Sequence, residues 1–79
     1  MATIPEKPMS AREVLDAYFL ETRAKLIEIA ANLDRVERSP GFSDVRDDAR
    51  LRFVHGALEI LQSGQSNRAE QIQKLYSKG

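Results

Sequence analysis

Few residues of this chain have the side-chain type and the spacing that a catalytic or metal-binding site requires. Its sole histidine, His55, follows Arg52 by three residues, whereas a di-iron helical bundle needs Glu-x-x-His pairs on facing helices. A lone histidine beside Glu59 on a polar helix face is most often a solvated side chain. Because cysteine is absent, a zinc or haem site has no obvious ligand set within one chain. We therefore predict no metal and no cofactor.

The carboxylates give little further indication of a catalytic site. Glu21 and Glu28 are seven residues apart on one face of a predicted helix, which is the usual pattern of a solvated face rather than an acid–base pair. Asp34 is unusual, because an acid near the carboxyl end of a helix is unfavourable unless it is paired. Arg38 and Arg68 are its candidate partners, so we predict a structural brace formed by Asp34, Arg38 and Arg68. The serines stand at caps and turns, and we predict that the chain is not an enzyme.

Length and charge narrow the classes of protein further. The chain has 79 residues, with 12 Lys and Arg against 12 Asp and Glu. One domain fits this length, and its core would be marginal on its own. The balanced charge provides no long-range field for nucleic acid or an anionic membrane. No apolar run approaches the roughly 20 residues that cross a bilayer, and no secretory signal is evident, so we predict a cytoplasmic protein without a membrane partner.

A long helix is the clearest predicted element. Ser10 and Glu13 have the S-x-x-E spacing of a capping box, and no proline or glycine occurs from there to Pro40. Strong helix formers fill the interval, which predicts a helix from about Ser10 to about Arg38. Residues 1–9 contain two prolines and no periodicity, so they are predicted to be a flexible N-terminal arm before a single helical domain over residues 10–79.

Two further helices are predicted after the long one. The medium helix would begin at Ser43, whose side chain can cap it, and end at about Gln62. Gly64 suits the left-handed conformation that closes many helices. The short helix would restart at Ser66 or Asn67 and run to about residue 77. The fold class is therefore all-α, with long, medium and short helices in a small bundle.

The long helix has two apolar faces. One face, the leucine seam, follows alternating steps of four and three residues and is predicted to be the main core contact. The seam consists of Leu15, Phe19, Thr22, Leu26, Ile29, Leu33 and Val36, with Tyr18 at its margin. The other face, the alanine stripe, is the candidate interface and consists of Ala17, Leu20, Ala24, Ile27 and Ala31.

Small residues at regular spacing let two helices approach closely. Because one neighbouring helix cannot cover both apolar faces, we predict self-association, most simply a two-fold or antiparallel homodimer that completes the bundle. The alternative is a monomeric three-helix bundle in which the alanine stripe receives the short helix of the same chain.

The end of the chain resembles a bacterial helix-turn-helix regulator. The resemblance spans residues 59–77 and includes Glu59-Ile60-Leu61, Gly64, Ser66-Asn67, Ile72 and Leu75. It is similar to the first two helical segments of that family, in which a further recognition helix enters the major groove of DNA. Its spacing departs from the family after Asn67. Arg46, Arg50 and Arg52 could contact phosphates, but interleaved aspartates favour pairing within the helix.

Two functions follow from these patterns. The first is a non-enzymatic helical protein–protein interaction or scaffold module, a homodimer that could also dock a helical partner. The alternative is a regulatory nucleic-acid-binding protein with a truncated helix-turn-helix-like C-terminus, which the balanced charge disfavours.

Overall fold

The computed structural model describes residues 8–77, which form helices and turns without a strand. The helices of this range are α1 (Ala11–Arg38), α2 (Phe42–Val45), α3 (Ala49–Gln62) and α4 (Arg68–Ser77). The all-α fold class is confirmed. Most of the predicted arm, residues 1–7, lies outside the described residues.

Helix α1 begins and ends where the sequence predicts. The Ser10 N–H donates to Glu13 Oε1 at 2.9 Å, and the Glu13 N–H donates to Ser10 Oγ at 3.1 Å, so the predicted capping box is formed. Hydrogen bonds from the backbone and the side chain of Ser10 to the Glu13 carboxylate lower the pKa of Glu13. At the other end, Gly41 has φ 83°, a left-handed conformation that glycine adopts without a steric penalty. The helix has 28 residues and is about 42 Å long.

The prediction of one medium helix from Ser43 to Gln62 is wrong, because the structure divides this segment into α2 and α3. Ser43 lies inside α2, which follows Gly41 and has no side-chain cap. Asp48 instead has an extended backbone (φ −61°, ψ 139°), and its carboxylate accepts from the Arg50 N–H at 2.8 Å. Aspartate competes for the backbone in this way and favours a helix start over a helix interior.

A glycine turn joins α3 to α4. Ser63 donates to the Ile60 carbonyl from its N–H at 3.0 Å and from its Oγ at 2.7 Å, which closes α3. Gly64 has the predicted positive φ, 79°. The predicted short helix is present as α4, where Asn67 Oδ1 accepts from Gln71 Nε2 at 2.7 Å. The sequence therefore located this junction correctly.

The chain divides into two compact units, residues 1–38 and residues 39–79. The described part of the first unit is α1 with the residues that cap it. In the second unit α3 and α4 pack on each other, with the Phe53 and Tyr76 rings edge to face at 5.4 Å and 73°. Leu75 lies against Gly56, where a Cβ would come within 3.0 Å of Leu75 Cδ2. None of residues 8–77 is fully buried, so a three-helix bundle and a single domain stay predictions.

Candidate interaction surfaces

The alanine stripe lies along one side of α1. Its five residues fall within an arc of about 80° if each residue turns the helix by about 100°. The large members are well exposed, Leu20 at 74% and Ile27 at 50%. Ala17 and Ala24 are exposed as well, and Ala31 is half-buried. Helical geometry thus brings the candidate interface together as one continuous strip, most of it open to solvent.

The leucine seam lies on the roughly opposite side of α1. The sequence predicts it as the main core contact, yet its N-terminal part is open: Leu15 is 62% exposed, Phe19 52% and Leu26 51%. Tyr18 at its margin is 56% exposed. From Ile29 onward the seam is half-buried. The seam between residues 15 and 26 is therefore a second candidate surface that sequence reasoning assigned to the core.

Polar side chains separate these two faces. On one flank Lys25 Nζ pairs with Glu21 Oε1 at 2.9 Å, as predicted, and this hydrogen bond raises the pKa of Lys25. Thr22, within the seam, donates from Oγ1 to the Tyr18 carbonyl at 2.9 Å. On the other flank Asp16 and Arg23 are exposed and form no ion pair with any residue in the range 8–77. One flank of α1 therefore carries an acid and a base that have no ion-pair partner among the described residues.

The structural brace of Asp34, Arg38 and Arg68 stays a prediction. Asp34 and Arg38 are exposed residues of α1, and no ion pair links them. Arg68 belongs to the second unit, where its Nη1 donates to the Gln65 carbonyl at 2.7 Å. Asp34 and Arg38 therefore form no observed ion pair with each other within residues 8–77.

An open apolar groove lies between α3 and α4. Its volume is about 560 Å³, and its lining consists of Ala49, Arg50, Phe53, Val54, Leu75 and Tyr76. Arg50 is its only charged residue, and its guanidinium forms a bidentate pair with Asp48 (Nε–Oδ1 2.9 Å, Nη2–Oδ2 3.0 Å). The guanidinium and the Arg50 N–H lower the pKa of Asp48 from 3.8 to about 2. Because Asp48 already pairs with this charge, the groove presents an apolar surface and has no unpaired charged side chain to bind an ionic ligand.

The basic groups of the second unit are mostly engaged within the chain. Arg50 pairs with Asp48, which agrees with the prediction that aspartates pair with these arginines. Arg46 stacks over the Phe42 ring at 5.5 Å. Lys74 pairs with Glu70 at 3.2 Å. Of the cations in the described part of the second unit, only Arg50 and Lys74 are ion-paired, and Arg46, Arg52 and Arg68 have no ion-pair partner within residues 8–77. The balanced charge of the chain, 12 Lys and Arg against 12 Asp and Glu, is therefore the feature that disfavours phosphate binding.

Comparison with other proteins assigns no family. No protein-family model matches the chain, and searches of curated proteins and solved structures return no similar protein. Within residues 8–77, no three His, Asp or Glu side chains are grouped so that they could hold a metal ion. The described helices also include none with the length and hydropathy to cross a membrane.

Proposed function

We propose that this protein is a non-enzymatic helical interaction module that self-associates through α1. The observation that carries the proposal is the exposure of large apolar side chains on both faces of α1. Contiguous apolar patches above a few hundred Å² are uncommon on monomeric soluble proteins and usually mark an interaction surface.

The energetics of helix formation support this proposal. In proteins, most helical stability comes from packing of an apolar face rather than from intrinsic propensity. Burying the remaining exposed half of a Leu, Ile, Phe or Tyr side chain contributes roughly 1 kcal/mol. Seven large apolar side chains of α1 are 40% or more exposed, so packing them against a partner is a substantial source of stability.

Two apolar faces on one helix also favour more than one contact. A single neighbouring helix covers one side of α1, because side chains on the opposite side point away from it. A second contact from another copy covers the remaining side, and the same surface can receive a helical segment of another protein. A scaffold or docking function follows from this arrangement.

Light scattering of the purified chain tests the proposal. We expect a mass above that of one chain, 8.9 kDa. Ala24→Glu should lower the mass, because it places a charge in the middle of the alanine stripe and removes the contact made there. Asn32→Glu is the matched control, since it adds the same charge to the polar flank and should leave the mass unchanged. A wild-type chain that stays monomeric at high concentration would contradict the proposal.

Gel retardation at low salt separates this proposal from the nucleic-acid alternative. The alternative rests on the helix-turn-helix resemblance of residues 59–77. An interaction module whose 12 basic residues are balanced by 12 acidic residues should produce no shift with duplex DNA or RNA, since phosphate binding needs a local excess of cations. A shift that disappears in moderate salt would instead support the regulatory function.

A further inference from the structure

We infer that a second copy of this chain docks antiparallel to α1 along the leucine seam between Leu15 and Leu26, with the two-fold axis beside Leu20 and Glu21. The inference rests on the proposed self-association and names its surface, orientation and register. It differs from the alanine stripe, which lies on the other side of the helix.

The exposure of the seam locates the contact. Leu15, Phe19 and Leu26 are each more than half exposed, as is Tyr18 at the margin. Ile29 and the seam residues that follow it are half-buried. The unpartnered part of the seam is therefore the segment of α1 that ends at Leu26, and this segment needs a partner of similar length.

The spacing of the seam suits an antiparallel pair. In heptad terms Phe19 and Leu26 occupy a positions, and Leu15 and Thr22 occupy d positions. In an antiparallel pair each a side chain faces a d side chain of the other helix. The two-fold axis beside Leu20 then places Leu15 against Leu26 of the second copy, and Phe19 against Thr22 of the second copy. In one layer two leucine side chains meet, and in the other the large Phe19 ring meets the smaller Thr22 side chain.

Thr22 can be covered without a penalty for its hydroxyl. Its Oγ1 already donates to the Tyr18 carbonyl at 2.9 Å. Placing the Phe19 ring of the second copy over the Thr22 methyl group therefore leaves no unsatisfied donor. The only polar residue of this part of the seam is in this way compatible with an apolar interface.

The flanking charges select this register. With the axis beside Leu20, Asp16 faces Arg23 of the second copy, and the symmetry repeats the pair. Neither residue has an ion-pair partner among the described residues. On the other flank Tyr18 faces Lys25 of the second copy, a cation–π arrangement. In this antiparallel register, the side chains on both flanks of the seam are therefore electrostatically complementary.

Neighbouring registers lack this complementarity. Moving the axis by half a heptad towards the C-terminus places Arg23 against Arg23 and Lys25 against Lys25. Moving it the same distance towards the N-terminus places Asp16 against Asp16. A parallel pair in register places Tyr18 beside Arg23 and provides no acid–base pair. Like charges directly opposed are destabilising, so the register beside Leu20 is favoured over these alternatives.

The surface available is sufficient for a modest interface. Leu15, Tyr18, Phe19 and Leu26 each retain on the order of 100 Å² of exposed side chain. Two copies together would bury at most about 800 Å² from these residues, and their flanks bring the total to roughly 1,000 Å², the lower limit for a specific contact. The half-exposed seam is therefore large enough to hold two chains together.

Cysteine cross-linking of the full chain tests the orientation, because the natural chain contains no cysteine. Leu15→Cys and Leu26→Cys variants are prepared separately, one with an affinity tag, and are oxidised alone and as a mixture. We expect the mixture to form disulfide-linked pairs at least tenfold faster than either variant alone. Faster linking of Leu15→Cys to itself would show a parallel pair and overturn the inference.

Charge reversal tests the register. Asp16→Arg or Arg23→Asp alone places like charges opposite each other at two symmetric positions, and each should weaken dimerisation about tenfold. The Asp16→Arg/Arg23→Asp double variant exchanges the charges and should restore the dissociation constant to within about threefold of wild type. Circular dichroism checks that helical content is retained at a concentration where each variant associates.

The outcomes separate this inference from the proposed function. A dimer that neither single reversal weakens, and that shows no preference for the mixed disulfide, would reject the register while leaving self-association intact. A wild-type chain that is monomeric throughout would reject both.

Discussion

Helix α1 and the α3–α4 pair obtain their stability in different ways. The second unit has side-chain contacts between its own helices, with Phe53 against Tyr76 and Leu75 against Gly56. The hydrogen bonds described in α1 join residues three or four positions apart on exposed surface, such as those of Ser10 and Glu13. The two units therefore differ in exposure: among the described residues, α1 holds seven large apolar side chains that are 40% or more exposed, and the second unit holds two, Leu61 and Tyr76.

This difference separates a structural apolar residue from an interface residue. Phe53 of α3 and Phe19 of α1 both lie on apolar helix faces with regular spacing. Phe53 is half-buried and contacts a ring of α4, whereas Phe19 is 52% exposed. Equivalent periodicity thus leads to packing within the chain in one unit and to an open surface in the other.

The largest expected effect comes from charging the open face of α1. Phe19→Glu should weaken dimerisation by more than a hundredfold and reduce the helical content of α1, since the buried charge would oppose Thr22 of the second copy. Analytical ultracentrifugation and circular dichroism measure the two effects. Glu28→Gln on the polar face serves as the control. If Phe19→Glu behaved like the control, α1 would be an ordinary surface helix, and the contrast between the two units would not hold.

A smaller effect is expected from the α3–α4 contact. Phe53→Ala removes the edge-to-face ring pair and enlarges the groove, which should lower the free energy of unfolding by about 2 kcal/mol for a half-buried ring. Urea unfolding followed by circular dichroism measures this change. Glu59→Ala, an exposed substitution on the same helix, should change stability by less than about 0.5 kcal/mol. An equal loss in the two variants would argue against packing within this unit.

The smallest effect is the pH dependence of the α3 cap. The folded state lowers the pKa of Asp48 from 3.8 to about 2 through Arg50, so the unfolded chain binds the proton first as the pH falls. The cap therefore stabilises the fold fully above about pH 4, and this contribution is lost between about pH 4 and pH 2. Asp48→Asn should remove that component of the acid transition in thermal melts. An unchanged acid profile would show that the pair does not act as a cap in solution.

Local signals predicted most of the secondary structure. The capping spacing of Ser10 and Glu13, the uninterrupted helix formers after it and the positive φ of Gly64 were all readable, because each depends on residues close in sequence. The split between α2 and α3 was missed because Ser43 and Asp48 are both good caps. The later cap forms a backbone hydrogen bond and a bidentate pair with Arg50, which decides where α3 begins.

The candidate surface was harder to predict than the helices. Periodicity identified both apolar faces of α1 but assigned Leu15, Phe19 and Leu26 to the core. Burial depends on which elements meet, and that information lies in long-range packing rather than in the local pattern. The ion-pair status of Asp16 and Arg23 likewise becomes visible only once side-chain positions are known.

The proposed self-association of α1 would make its helical order depend on protein concentration. A helix that is stabilised mainly by a second copy gains stability in proportion to the logarithm of protein concentration, through mass action. The α3–α4 pair contains its own contacts and has no such dependence. In dilute solution α1 would lose helical structure before α3 and α4 do, so the amount of this protein in a compartment would set how much of it presents an ordered surface to other molecules.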